Sequence, residues 1–208
     1  MQTEQATATS DRITRTLAMF DFDNTITTKD TFFMFFVYVF GWGRFLAGLV
    51  VLSPVLVLFK LKLMAREKAK EKVFSHFFRN MPLEKYNQLC ESFTPKINDI
   101  VNQQCLSKIK YHLGEEHKVY IVSASVEGWI IPWARQNGIT AVVATRAEVK
   151  NGVLTGKFCT KNCYGPEKVN RMKELYPDLA EKTVYAYGDS NGDTEMLAMA
   201  KHPFYRCF

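Results

Sequence analysis

FDFDNTITT, residues 20–28, ends a short apolar run with two aspartates one residue apart and then turns polar. The run that leads into it, Thr16 to Asp21 (TLAMFD), is continuous rather than alternating, as expected of a strand buried on both faces of a parallel sheet. Along a strand, side chains i and i+2 point to the same side, so the spacing predicts that Asp21 and Asp23 share one face where the strand runs into a loop.

Outward from that strand the same pattern recurs. Lys118 to Ser123 (KVYIVS) and Thr183 to Asp189 (TVYAYGD) are again short apolar runs that end polar, and Ile139 to Thr145 adds another strand. Helix-like stretches follow them at Glu127 to Asn137, Glu167 to Tyr176 and Asp193 to Lys201, while Asn151 to Phe158 carries an Asn-Gly hairpin signal. Strands alternating with helices define an α/β fold with a doubly wound, mostly parallel sheet, assigned to residues 16–30 and 116–208. The 85 residues 31–115 lack strand patterning and read as helical throughout. Inserted after the first strand, they are expected to form a cap over the carboxyl edge of the sheet, where ligands of open α/β folds bind. Residues 1–15 are polar, without the apolar centre of a signal peptide, and read as a flexible lead-in.

Composition narrows the partners. With 47% hydrophobic and 23% charged residues the 208-residue chain is globular in usage, rich in aromatics (16 Phe, 9 Tyr, 3 Trp) and biased toward anionic partners by a net charge of +6. No RNP-type sequence or zinc-finger spacing accompanies that charge, so nucleic acid is not an expected partner. The odd count of five cysteines, without CxxC spacing, suits reduced thiols and a cytoplasmic location.

Four pieces fall at strand ends or helix starts: Asp21-Phe22-Asp23-Asn24-Thr25, then Ser123, then Lys168, then Gly188 to Asp193. A parallel sheet brings such ends to one edge, and four carboxylates gathered there require a compensating cation or a shared proton. Oxygen ligands without His or Cys select a hard ion, Mg²⁺, held among Asp21, Asp23, Asp189 and Asp193. Mg²⁺ keeps waters and shares its shell with substrate phosphate, so a phosphorylated substrate is expected, with Ser123, Lys168, Asn24 and Thr25 as its phosphate-binding residues. Asp21 is placed to attack phosphorus and Asp23 to act as general acid and then base.

DFDNT, the serine after VYIV, the lysine of GPEK and GDSNGD resemble, in order, the four motifs of the haloacid dehalogenase superfamily of phosphatases. The helical insertion resembles that of subfamily IB, whose members include phosphoserine phosphatases and bacterial phosphatidylglycerophosphate phosphatases. The resemblance implies an aspartyl-phosphate on Asp21, with Mg²⁺ held by the side chains of Asp21 and Asp189 and the backbone carbonyl of Asp23, and supported by Asp193. Asp23 speaks against a dehalogenase, because a halide leaving group needs no proton.

Asp30 has two readings: a substrate contact, as in the phosphoserine enzymes, or an N-cap at a predicted helix. Ser125 is an alternative to Ser123. His76, His112, His117 and His202 lack ligand spacing and are left structural.

The stretch Phe45 to Phe59 (FLAGLVVLSPVLVLF) is apolar on every face over fifteen residues, and Lys60, Lys62, Arg66, Lys68, Lys70 and Lys72 follow it. As a helix it reaches only about 22 Å against a hydrocarbon core of roughly 30 Å, and Gly41-Trp42-Gly43-Arg44 breaks the apolar run before it, so two short helices in a hairpin are expected. Peripheral contact through residues 45–72 with the inner face of a membrane, a second subunit, and burial against the core are the candidate covers. The apolar, basic insertion and the NCYGPEKV run resemble the phosphatidylglycerophosphate phosphatases more than the phosphoserine enzymes, and that resemblance implies a lipid phosphate such as phosphatidylglycerophosphate. A small metabolite of phosphoserine type is the alternative within the enzyme class, and an inactive membrane-docked binding module the alternative outside it.

Overall fold

The computed structural model describes residues 15–139 and 141–208, so the expected lead-in lies, apart from Arg15, outside the described residues. Five parallel strands form the main sheet in the order β3-β2-β1-β6-β7: β1 Thr16–Phe20, β2 Lys118–Val126, β3 Ala141–Thr145, β6 Thr183–Gly188 and β7 His202–Tyr205. β1 lies at its centre. Leu17 and Met19 point into one apolar cluster with Val122, Met172, Val184 and Met196, while Ala18 and Phe20 point into the other with the aromatics of the insertion. That two-sided burial explains the unbroken apolar run. The edge strand β7 (HPFY) is too short and too interrupted by proline to be read from sequence.

The second sheet is the hairpin of β4 (Ala147–Lys150) and β5 (Val153–Phe158), turned at Asn151 and Gly152, both with positive φ. It leaves the main sheet after β3 and binds the insertion. Asn80 N–H donates to Leu154 O (2.8 Å), Leu154 N–H to Met81 O (2.9 Å), Leu83 N–H to Gly152 O (2.9 Å) and Phe158 N–H to Glu71 (2.9 Å).

Five helices separate β1 from β2: α1 Thr31–Val51, α2 Ser53–Lys60, α3 Arg66–Phe78, α4 Leu83–Asn98 and α5 Gln103–Gly114. Aromatic rings hold them together and to the sheet. Phe35 of α1 stacks on Trp129 of α6 (Glu127–Gln136), ring centroids 4.6 Å apart, and meets Phe93 at 5.2 Å and Phe78 at 5.6 Å. α5 packs on the sheet itself, where the buried His112 bonds the Tyr187 hydroxyl (2.9 Å) and His117 (2.8 Å).

α1 is long and apolar enough to cross a membrane by composition. It reverses instead. Gly41 takes φ 72°, a region where a side chain is strained, and the second arm folds back so that the Phe45 ring lies 6.3 Å from Phe33 and 6.4 Å from Phe36. In a straight helix twelve residues would separate Phe33 from Phe45 by about 18 Å. Gly48 lets that arm sit tight on α3, since a Cβ there would stand 2.3 Å from the Phe77 ring. The all-apolar stretch Phe45 to Phe59 is not one helix: the chain breaks at Leu52, with Pro54 in the first turn of α2.

Candidate active site

The register of the sheet sets the site. Phe20 lies opposite Ile121 of β2 and Tyr187 of β6, so Asp21, Ser123 and Asp189 all emerge at the carboxyl edge. Asp21 continues the ladder, its N–H donating to Tyr187 O at 2.9 Å. The chain then makes one wide turn over Phe22–Ile26, closed by Thr27 N–H to Phe22 O at 2.9 Å, with Asn24 in the left-handed region at φ 60°. Asn tolerates that conformation better than most residues.

Lys168, at the start of α7 (Pro166–Leu175), is buried between two carboxylates, 2.5 Å from Asp21 Oδ1 and 2.6 Å from Asp193 Oδ1. Asp193 is fully buried, and its Oδ2 accepts from the N–H of Asp189 (3.3 Å), the N–H of Ser190 (3.1 Å) and the Ser190 hydroxyl (2.9 Å). Three donors converge on Oδ2 and the lysine takes one side of Oδ1, so Asp193 shapes the loop and holds the lysine while Oδ1 keeps a lone pair. Asp189 remains partly exposed, and among the described residues its carboxylate receives a long bond from the Thr25 hydroxyl, 3.4 Å.

Carboxylate oxygens of Asp21, Asp189 and Asp193 lie within 4.8 Å of one another. Among the described residues the three carboxylates gather around the Lys168 ammonium, with the Arg206 guanidinium adding a weaker pull on Asp189, so negative charge is in excess. Burial pushes Asp21 up to about 7, against the pull of Lys168, with Asp193 adding to the rise; burial and Asp193 also hold Asp189 above the ordinary carboxylate range. Both acids resist ionising chiefly because they are buried, and the neighbouring Asp193 adds to it. An oxygen-only donor set with that excess of negative charge fits a hard divalent cation.

Asp23 sits at the N-terminus of α1. Its Oδ1 accepts from the Thr31 N–H (2.7 Å) and the Thr31 hydroxyl (2.6 Å), and its Oδ2 from the Ser125 hydroxyl (2.5 Å). Trp129 Nε1 donates to the Thr31 hydroxyl oxygen at 3.1 Å, which commits the Thr31 proton to Asp23. Helix N-termini leave free N–H groups, and here Asp23 and Asp30 take them: Asp30 accepts from Phe32 N–H (2.9 Å) and Phe33 N–H (3.4 Å). The capping reading of Asp30 therefore describes its contacts, although its side chain also lines the cavity beside Asp23.

Ser123 is buried and accepts from the Ser125 N–H at 3.0 Å, so it is Ser125 that reaches Asp23. Asn24 is exposed and Thr25 buried at the same turn. The structure brings together Asp21, Lys168, Asp189 and Asp193 as one group and Asp23, Thr31 and Ser125 as another. Thr31 and Trp129 were not legible as site residues, because their role depends on a contact across 98 positions of sequence.

Lys70 also departs from the sequence reading, which placed it in an outward basic cluster. It points inward, with its ammonium on the Ala124 carbonyl, 3.4 Å from Asn162 Oδ1 and 5.0 Å above the Phe32 ring. Burial pushes it down to about 8 against the charges of Asp23 and Asp30. It lines a cavity of about 340 Å³ together with Asp23, Ser125, Arg66, Leu49 and Leu56.

The profile of haloacid dehalogenase-like hydrolases matches residues 18–198. Protein CicA of Caulobacter vibrioides is 31% identical over 198 residues, 92% of this chain and 86% of its own. A protein of Mycobacterium tuberculosis named as a probable phosphatase is 29% identical over 197 residues, covering 90% of this chain and 67% of its own. A solved structure described as a phospho-aspartyl intermediate analogue of phosphoserine phosphatase superposes with a TM-score of 0.58 at 20% identity, over 90% of this chain and 84% of that one. The chain belongs to the haloacid dehalogenase-like hydrolase family, and it is an enzyme of that family's phosphatase type.

Proposed function

We propose that this protein is a Mg²⁺-dependent phosphomonoester hydrolase that works through an aspartyl-phosphate on Asp21. The observation that carries the reading is the charge deficit at the carboxyl edge, where Asp21, Asp189 and Asp193 share a single lysine. Asp21, Asp189 and the backbone carbonyl of Asp23 would hold the ion, with Asp193 fixing the loop that presents Asp189. When bound, Mg²⁺ supplies the positive charge that lets an anionic phosphate approach an anionic nucleophile.

The remaining chemistry belongs to the side chains. An oxygen of Asp21 attacks phosphorus while the bond to the leaving oxygen breaks, and Asp23 gives that oxygen its proton, releasing an alcohol. With Oδ1 committed to the two Thr31 donors, Oδ2, which accepts from the Ser125 hydroxyl, is the oxygen left to pass and take up the proton. Asp23 then takes a proton from water as the water attacks the acyl phosphate, which frees inorganic phosphate and restores Asp21. Lys168 and Ser123, with Asn24 and Thr25 at the turn, hold the phosphoryl oxygens.

The substrate proposed is an anionic lipid phosphate such as phosphatidylglycerophosphate, reached by peripheral contact of the insertion with the membrane. Support comes from the cavity beside Asp23, where the cations Lys70 and Arg66 stand among Leu49, Leu56 and Phe59. A small metabolite of phosphoserine type is the second reading, favoured by Asp30, which lines the same cavity. Turnover of an aryl phosphate with Mg²⁺, absent in Asp21→Asn, tests the chemistry. Relative kcat/KM for phosphoserine, sugar phosphates and phosphatidylglycerophosphate tests the substrate.

A further inference from the structure

The outer faces of the two short arms, the second half of α1 and α2 with the turn after it, carry Trp42, Leu46, Val50, Val57, Leu61 and Leu63, each more than half exposed. Large apolar side chains left exposed together on these arms, the tip of the insertion, are a marker of an interaction surface. Charge says which kind. Residues 42–66 contain Arg44, Lys60, Lys62 and Arg66 and no acidic residue at all. The first three are exposed at the same tip.

The tip is continuous with the candidate site. Phe33 and Phe59 are partly exposed and also line the cavity that ends at Asp23 and Ser125, and the inward residues Leu49 and Leu56 belong to the same arms. The reversal at Gly41 shortens each arm of α1 to roughly 15 Å, half of a hydrocarbon core, so the tip can enter an interface without spanning it. Apolar side chains flanked by lysines and arginines match the boundary between acyl chains and anionic headgroups. A second copy of this chain is a poorer occupant, since a twofold contact through this patch would gather like charges from both copies with no acidic residue of 42–66 to pair them.

We infer that this tip docks the protein on an anionic lipid surface, with the mouth of the Asp23 cavity opening at that surface. The inference rests on the proposed lipid-phosphate reading and adds to it the face that meets the lipid and the route from that face to Asp23. Apolar parts of a substrate remain along Leu49, Leu56 and Phe59 while the phosphate reaches the acid edge.

The test is flotation of the full chain with vesicles of phosphatidylcholine alone and of phosphatidylcholine mixed with phosphatidylglycerol. Binding is expected only to the mixed vesicles and is expected to weaken with salt. The combined variant Val50→Asp, Val57→Asp, Leu61→Asp is expected to abolish it, and Lys60→Glu with Lys62→Glu to weaken it by about tenfold or more. Both variants should retain wild-type melting and wild-type turnover of a soluble aryl phosphate. Failure of the wild type to float with the mixed vesicles, or floating unaffected by the apolar substitutions, overturns the inference. So does a concentration-dependent dimer that the same substitutions dissolve, because the face is then an interface between copies. Loss of aryl phosphate turnover in the wild type would instead sink the catalytic proposal, which the flotation assay does not touch.

Discussion

At the carboxyl edge of the sheet Asp193 takes four donors and Lys168 stands between two carboxylates, whereas at the tip of the insertion Val50 and Leu63 are about three-quarters exposed. One region carries costly charges at short distances; the other presents greasy side chains to solvent. Buried charge is tolerated only where each partner is in place, so the edge is unforgiving of substitution. Exposed apolar surface contributes little to the isolated fold, so the tip should be permissive. A residue's value to catalysis and its value to folding therefore separate along the chain, and experiments can widen or erase that separation.

The largest effect is expected at the edge. Asp21→Asn removes the attacking carboxylate while keeping its shape, and aryl phosphate turnover should fall by roughly a thousandfold or more with melting preserved; steady-state kinetics beside a thermal melt decides this. Next comes the interior of the insertion. Phe35→Ala deletes a ring packed among Trp129, Phe93 and Phe78 and should cost about 3–5 kcal/mol in urea unfolding, setting the aromatic centre of the insertion apart from its tip.

A smaller change probes the relay to Asp23. Trp129→Phe keeps the stack on Phe35 but deletes the donor to Thr31, and kcat should drop by roughly tenfold, with KM held. His112 gives a pH test remote from both regions. Burial, then the neighbouring His117 and Lys108, push it down from 6.5 to about 4, so the native state prefers the neutral ring. The unfolded chain takes the proton first, hence stability is full above pH 6.5 and declines as pH falls toward 4. Melting temperature measured across that window should drop by several degrees more in the wild type than in His112→Gln. The smallest effect is expected at Val57→Asp, which should change unfolding free energy by about 0.5 kcal/mol or less; a large loss there would erase the contrast between tip and edge.

Much of the edge was legible in the sequence because chain chemistry and sheet geometry coincide. Asp21, Asp189 and Lys168 follow apolar strands or open a helix, and a parallel sheet leaves such positions little choice of direction. The reversal near Gly41 was legible too, since Gly-Trp-Gly interrupts an otherwise apolar run. What escaped depends on packing between distant segments. Thr31 reads as an ordinary helix-start residue until Trp129 arrives beside it, and Lys70 reads as one lysine among several until α3 turns it toward Ala124. The break at Leu52 escaped for another reason: Ser53-Pro54 opens α2 in its first turn, where proline is at home, so the break lies inside an unbroken apolar composition.

The β4–β5 hairpin has a bearing on how the enzyme breathes. It rises from the β3 side of the molecule and is stitched to the α3–α4 junction and to Glu71 by four hydrogen bonds. A lid swinging as one rigid piece would have to tear those stitches and the Phe35 stack at every turnover. Gating is cheaper if it is local, with the arms beyond Gly41 flexing while α3 and α4 stay moored. Hydrogen exchange should then run faster in residues 42–63 than in the moored helices, and the rhythm of substrate entry would be set at the outermost part of the fold.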